Sequence, residues 1–158
     1  MDLSRYQDPQ IIQQALACRR VAIVGMSSNE LRASHYVGFY LARHGYEIFP
    51  VNPRETEILG RTCYPSLAAI PEPVDVVDVF RDPAAVPEIA REAVAIGAKF
   101  LWLQFGVVSH DGIAIAEAGG MTVIADKCMK IEHARYRGRM HWLGFNRGTV
   151  SARRTPAD

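Results

Sequence analysis

The stretch "VAIVGMSSNELRASHYVGFYLARHG", residues 21–45, decides the fold. It begins with a short apolar run rich in β-branched residues, "VAIVG", which predicts a strand buried on both faces. Gly25, at the end of that run, lets the backbone turn tightly. From Ser34 onward the period changes. Tyr36, Val37, Tyr40, Leu41 and His44 fall on one helical face, with Ser34 as the candidate cap and Gly45 as the left-handed stop. Strand, turn and helix in that order form a nucleotide-binding βα unit. Yet the loop between them, "GMSSNELRAS", lacks the second and third glycines of a G-x-G-x-x-G fingerprint.

The same alternation continues on both sides. Upstream, Asp8-Pro9 ahead of "QIIQQALACRR" predicts a helix with Asp8 as N-cap and Pro9 at its first position. Downstream, "YEIFPV" (46–51), "VDVVDVF" (74–80), "KFLWLQF" (99–105) and "MTVIAD" (121–126) are the next four strands. Residues 54–73 are irregular. Helices are predicted over 82–97, capped by Asp82-Pro83, and over 109–120, and "CMKIEHARY" begins a closing helix. Near-continuously apolar strands separated by helices predict an α/β fold: a Rossmann-like, doubly wound sheet of five parallel strands with helices on both faces. The simplest order for such a sheet is 3-2-1-4-5. The domain is expected to span residues 1–143, and residues 144–158, rich in glycine, arginine and serine, are expected to be a flexible basic tail.

With 158 residues, 49% of them hydrophobic and 22% charged, the chain suits one domain with a single sizeable core. A net charge of +1 selects no class of partner. Charge is uneven, however: between Lys127 and Arg154 only Glu132 opposes a run of lysines and arginines. A basic end of this kind can contact nucleic acid or phosphates, but a solvated end is the plainer reading. Cys18, Cys63 and Cys128 are widely spaced with no C-x-x-C, which fits a reducing compartment. The polar start, "MDLSRYQDPQ", has no signal core, and no apolar run reaches membrane-spanning length. These features predict a soluble cytoplasmic protein.

Ligands of doubly wound sheets bind beyond the carboxyl ends of the strands, so those ends carry the functional reading. After the first strand, Gly25, Ser27 and Ser28 offer a turn, hydroxyls and main-chain donors. Arg32 adds a planar fork suited to phosphate, and the helix start near Ser34 adds free N–H groups. After the second strand, Asn52, Pro53 and Arg54 stand where a nicotinamide dinucleotide site carries an acid, and an arginine there fits a phosphorylated ribose. After the third, Phe80 can flank a flat base and Arg81 adds a cation. After the fourth come Gln104 and Gly106, and after the fifth Cys128 and Lys130. With no acid expected beside the loop, the set describes a site for an anionic nucleotide.

Catalytic groups are harder to find. Ser109, His110 and Asp111 are adjacent in sequence and cannot form a triad. There is no G-x-S-x-G elbow, Walker lysine motif, H-E-x-x-H helix or zinc-ligand spacing. Asp75 is expected at the solvated strand edge, and Asp78 to accept hydrogen bonds near the ligand mouth or from a neighbouring loop rather than to act as a base. His35, at the helix start, is a phosphate donor or a cap-region side chain.

Five stretches in order, "VAIVGMSSN" with Arg32 and Ser34, "PVNPR" (50–54), "LGRTCYPSLAAIPEPVDVVDVFR" (59–81), "LWLQFGV" (101–107) and "DKCMKIEH" (126–133), resemble the small stand-alone coenzyme A-binding proteins. Those in turn are similar to the coenzyme A-binding domain of the succinyl-CoA synthetase α subunit. The resemblance covers residues 10–136 and implies coenzyme A or an acyl-CoA along the carboxyl edge of the sheet. It implies that Gly25, Ser27, Ser28 and Arg32 handle phosphates and that Asn52, Pro53 and Arg54 lie by the adenosine end. Phe80, Arg81, Gln104, Gly106 and Lys130 would line the rest of the track. The second domain in which that subunit carries its phosphorylated histidine has no counterpart here, so that catalysis is not carried over. Non-catalytic binding, as a carrier, sensor or regulatory protein with a possible protein partner, is the leading expectation. The alternatives are an NAD(P)-binding or acyl-transfer enzyme, and a partner- or nucleic-acid-binding adaptor acting through the basic C-terminal segment. A mixed disulfide between Cys63 or Cys128 and the coenzyme's thiol is a further possibility, set against buried, inert thiols.

Overall fold

The computed structural model describes residues 2–138. The expected tail over 144–158, and the last residues of the expected domain, lie outside the described residues. Five parallel strands form one sheet: β1 (Arg20–Val24), β2 (Glu47–Val51), β5 (Val76–Val79), β6 (Phe100–Leu103) and β7 (Thr122–Ala125). Between β2 and β5, in the stretch expected to be irregular, β3 (Glu57–Ile58) and β4 (Arg61–Thr62) form a short antiparallel hairpin.

Helices cover both faces. On one face α3 (Val86–Ala95) and α4 (His110–Ala118) bury Val86, Ile89, Ala90, Ile113 and Ala116 against Ala22, Val24, Val77 and Val79. On the other, α1 (Pro9–Leu16), α2 (Ala33–Arg43) and α5 (Met129–Tyr136) bury Ile12, Leu16, Val37, Leu41 and Met129 against Val21, Ile23, Val76 and Trp102. Local chemistry sets several boundaries. Asp8 caps α1 by accepting from the Gln10 N–H at 2.7 Å, with Pro9 in the first turn. Ser109 caps α4 through the Gly112 N–H. Asp82-Pro83 opens a 3₁₀ turn, Pro83–Ala85, that leads into α3, without a side-chain cap bond from Asp82.

The strand order differs from the expected 3-2-1-4-5. Counting only the five strands of the main sheet, it is 2-1-3-4-5, because β5 pairs with β1 rather than with β2. Pro50 supplies the reason. The carbonyl of Pro50 points away from β1 and accepts the Tyr64 N–H at 2.9 Å, while the next carbonyl, of Val51, turns toward β1 and accepts the Gly25 N–H. The outer side of β2 therefore carries the proline nitrogen, which has no hydrogen to donate, and proline confines a strand to a sheet edge. The correction moves the point where strand order reverses to the crevice between the ends of β1 and β5, that is, between Gly25 and Arg81.

Asp78 also departs from expectation. It lies in register between Ile23 and Trp102, is fully buried, and neither of its carboxyl oxygens has a hydrogen-bond partner among the described residues. It is a core residue, not an acceptor at the ligand mouth. Asp75 sits at the amino end of β5, half-buried, where it accepts the Arg20 N–H and pairs with Lys99 at 3.7 Å. Burial pushes the Asp78 carboxyl well above the usual carboxylate range. The folded chain therefore keeps a proton that the unfolded chain releases. Stability from this group is full below the unfolded carboxylate pKa and is lost as pH rises toward the folded value, by about 1.4 kcal/mol per pH unit. Asp78→Asn is expected to flatten this dependence, losing less stability than the parent between about pH 5 and about pH 8. Urea midpoints at about pH 5 and about pH 8 measure it; an unchanged slope would remove Asp78 as its source.

Candidate functional site

The crevice begins at Gly25, which leaves β1 at φ +87°. A Cβ built there would lie 2.8 Å from the Arg81 side chain and 3.0 Å from the Phe80 carbonyl oxygen. Glycine is thus needed twice, for the left-handed turn and for the close passage of the chain that leaves β5. Gly106 also turns at positive φ, +74°, and its N–H donates to Asp126 at 2.9 Å. It faces open space and lies outside the cavities described next.

Three adjoining cavities follow the carboxyl edge. The first, about 350 Å³, is lined by Gly25, Asn52, Pro53, Arg54 and Arg81. The second, about 610 Å³, shares Gly25, Arg54 and Arg81 with it and adds Ser27, Arg32, Ala33, Ser34, Phe80 and Asp82. The third, about 380 Å³, shares Ala33 and Phe80 with the second and is mostly apolar: Tyr36, Val37, Phe105, Val107 and Ile131 line it, with Gln104, Cys128 and Lys130. Shared walls make the three one track, polar at the β2 end and apolar under α2 and α5. It brings together every expected site residue except Ser28 and Gly106.

The main-chain N–H groups of Ser27 and Ser28, expected as open donors, are engaged within the loop. The Ser27 N–H donates to Ser34 Oγ at 3.0 Å, and the Ser28 N–H donates to Glu55 Oε2 at 3.0 Å. Ser27 Oγ accepts the Asn29 N–H, and the Ser27 carbonyl meets His35 Nδ1 at 2.9 Å. Ser34 is therefore a loop anchor inside the first turn of α2, and the N-cap is Arg32, with no side-chain cap bond. His35 is buried in the same anchoring set. Glu55 overturns the expectation that no acid stands beside the loop; the compact turn after β2 folds it back. Asn52 is engaged in that turn: its side-chain nitrogen donates to the Met26 carbonyl, and its oxygen accepts the Arg54 N–H.

What remains open is the amino end of α2. The N–H groups of Ala33 and Ser34 make no hydrogen bond among the described residues, and both residues line the second cavity. A helix start of this kind attracts anions. Arg32, Arg54 and Arg81 line the same cavity, and none forms an ion pair among the described residues. Asp82 is the acid among the lining residues of that cavity, so the lining itself stays cationic.

Beyond Phe80 the track changes character. The Lys130 ammonium stands 5.2 Å from the centre of the Tyr36 ring and 5.6 Å from that of Tyr40, so it borders an aromatic wall rather than the arginine cluster. Besides main-chain bonds to Leu103, two side-chain bonds pin the segment leading into α5 to the end of β6, from Trp102 Nε1 to the Lys127 carbonyl and from the Met129 N–H to Gln104 Oε1. The residues missed by sequence reasoning are Ala33, Tyr36, Val37, Phe105, Val107, Ile131 and Asp82 as lining, and Glu55 as a loop acceptor. Tyr36 and Tyr40 recur at i and i+4, a spacing that places them on one stripe and offered a signal.

A family model described as a CoA binding domain matches residues 19–134. The uncharacterized protein YneT of Bacillus subtilis is 37% identical over 131 residues, covering 83% of this chain and 95% of its own length. Acetate–CoA ligase [ADP-forming] I of Archaeoglobus fulgidus is 32% identical over 119 residues, 69% of this chain but only 17% of the ligase. A hypothetical protein from Pyrococcus horikoshii has a solved structure that superposes with a TM-score of 0.82 at 34% identity, covering 85% of this chain and 96% of that one.

The anchoring of the loop is open to test. Ser34→Ala removes the acceptor for the Ser27 N–H and is expected to speed hydrogen exchange at the Ser27 amide about fivefold, equivalent to about 1 kcal/mol. Unchanged exchange in a mass-spectrometric or NMR measurement would show that this bond does not hold the loop.

Proposed function

The chain belongs to the CoA-binding domain family, and from that premise we propose that it binds coenzyme A or an acyl-CoA along this track without transforming it. The observation that carries the reading is the second cavity, where three arginines without carboxylate partners among the described residues line the open amino end of α2. Phosphate recognition by guanidinium forks and helix N–H groups is the chemistry such a cavity supports. Arg54, at the β2 end, suits the phosphate on the ribose; Arg32 and Arg81 suit the diphosphate; and the apolar end suits the uncharged arm of the coenzyme. The adjoining series of cavities matches a ligand that is anionic at one end and neutral at the other. This role is a carrier, sensor or regulatory one. Among the described residues no helix is long and apolar enough to cross a membrane.

Calorimetry against coenzyme A, NADP and NAD tests the reading. Coenzyme A is expected to bind most tightly, and tighter binding of NAD would overturn it. Arg32→Ala is expected to weaken coenzyme A by about 10–100-fold, the worth of one charge-assisted contact of about 1.5–3 kcal/mol. Arg54→Ala is expected to weaken coenzyme A by a similar factor and to leave dephospho-coenzyme A unaffected. Equal losses for both ligands would remove Arg54 from the ribose phosphate.

A further inference from the structure

The apolar cavity holds two groups that phosphate binding does not use. Cys128 lines it, and among the described residues its sulfur has no hydrogen-bond partner. The other two thiols differ. Cys63 donates to the Asn52 carbonyl at 3.5 Å and Cys18 to the Gln14 carbonyl at 3.6 Å, and neither lines the track. The second group is Gln104, which is only 5% exposed. Its oxygen accepts the Met129 N–H, while its amide nitrogen has no partner among the described residues and is left to the cavity it lines. That amide nitrogen, open to the cavity, is free to donate to a carbonyl acceptor of a ligand. The uncharged arm of coenzyme A carries amide carbonyls and ends in a thiol.

We propose that Cys128 is a covalent docking point for the coenzyme, formed by exchange with the coenzyme's own disulfide while Gln104 holds an amide of the arm. The inference rests on the binding reading above. The Cys128 sulfur, having lost its proton, attacks one sulfur of the disulfide. The S–S bond of the disulfide breaks, a new S–S bond joins Cys128 to one coenzyme, and the second coenzyme leaves as a thiolate that takes up a proton. One disulfide replaces another, so no separate oxidant enters. Capture of the nucleotide end in the arginine cavity makes the attack effectively intramolecular and raises its rate over that of a disulfide with no such handle.

The test incubates the full chain with coenzyme A disulfide, follows intact mass without reductant and maps the modified peptide. The expected result is one adduct, on Cys128, reversed by dithiothreitol, absent from Cys128→Ala, and formed at least about tenfold faster than with glutathione disulfide. No adduct, an adduct only on Cys18 or Cys63, or equal rates for the two disulfides would overturn the proposal. Mapping on the unsubstituted chain keeps the test valid even if Cys128→Ala folds poorly. Calorimetry with reduced coenzyme A on the same sample separates the two claims. Binding without an adduct overturns the exchange site alone; no binding overturns the function and the exchange site with it.

Discussion

Pro50 has no N–H to give to a neighbouring strand, and the layout of the binding edge follows from that. Its nitrogen lies on the outer side of β2, where only an irregular segment, at Tyr64, can pair. The chain must therefore bring β5 to the other side of β1. This sets the ends of β1 and β5 side by side, and Gly25 passes so close to Arg81 and Phe80 that no side chain fits. Ligand crevices of open α/β sheets lie where the strand order reverses. Here that place is flanked by α2, whose amino end points its free N–H groups into the gap.

The loop that replaces a glycine-rich turn works differently from one. A glycine fingerprint brings backbone N–H groups to the phosphates. In "GMSSNELRAS" the N–H groups of Ser27 and Ser28 are engaged by Ser34 and Glu55, so the loop is a braced scaffold rather than a cradle. Its contribution is to fix where α2 starts and where Arg32 projects. On the proposed reading, recognition passes to guanidinium groups, which reach farther than a backbone amide and fit phosphate bidentately. The Glu55 carboxylate, held by the Ser28 N–H, also bounds the cationic region on the side of the β2 turn.

Much of this was legible in the sequence because it depends on period and punctuation. Apolar runs of strand length, the Asp8-Pro9 cap and the Gly45 stop are local signals, and the structure places the strands and helices within a few residues of them. The arginines and Phe80, which line one cavity, could be named as candidate site residues because strand ends are the same place in any doubly wound sheet. What escaped depends on contacts distant in sequence. Pro50 signalled an edge strand, but within "YEIFPV" the apolar pattern masked it. The pairing of Ser28 with Glu55 spans 27 residues and leaves no periodic trace. Asp78 looked like a polar residue near a mouth, yet the alternation of β5 turns it into the core. The apolar third of the track is built from helix residues that sequence assigns to packing.

On the proposed reading the ligand spans the whole carboxyl edge, from the turn after β2 to the amino end of α5. Backbone amide NMR during titration with coenzyme A tests it most directly. Shifts are expected at Gly25, Ala33, Ser34, Arg54 and Arg81 together with Gln104 and Cys128, saturating along one binding curve. Shifts confined to one end of that set, or absent from it, would contradict the claim.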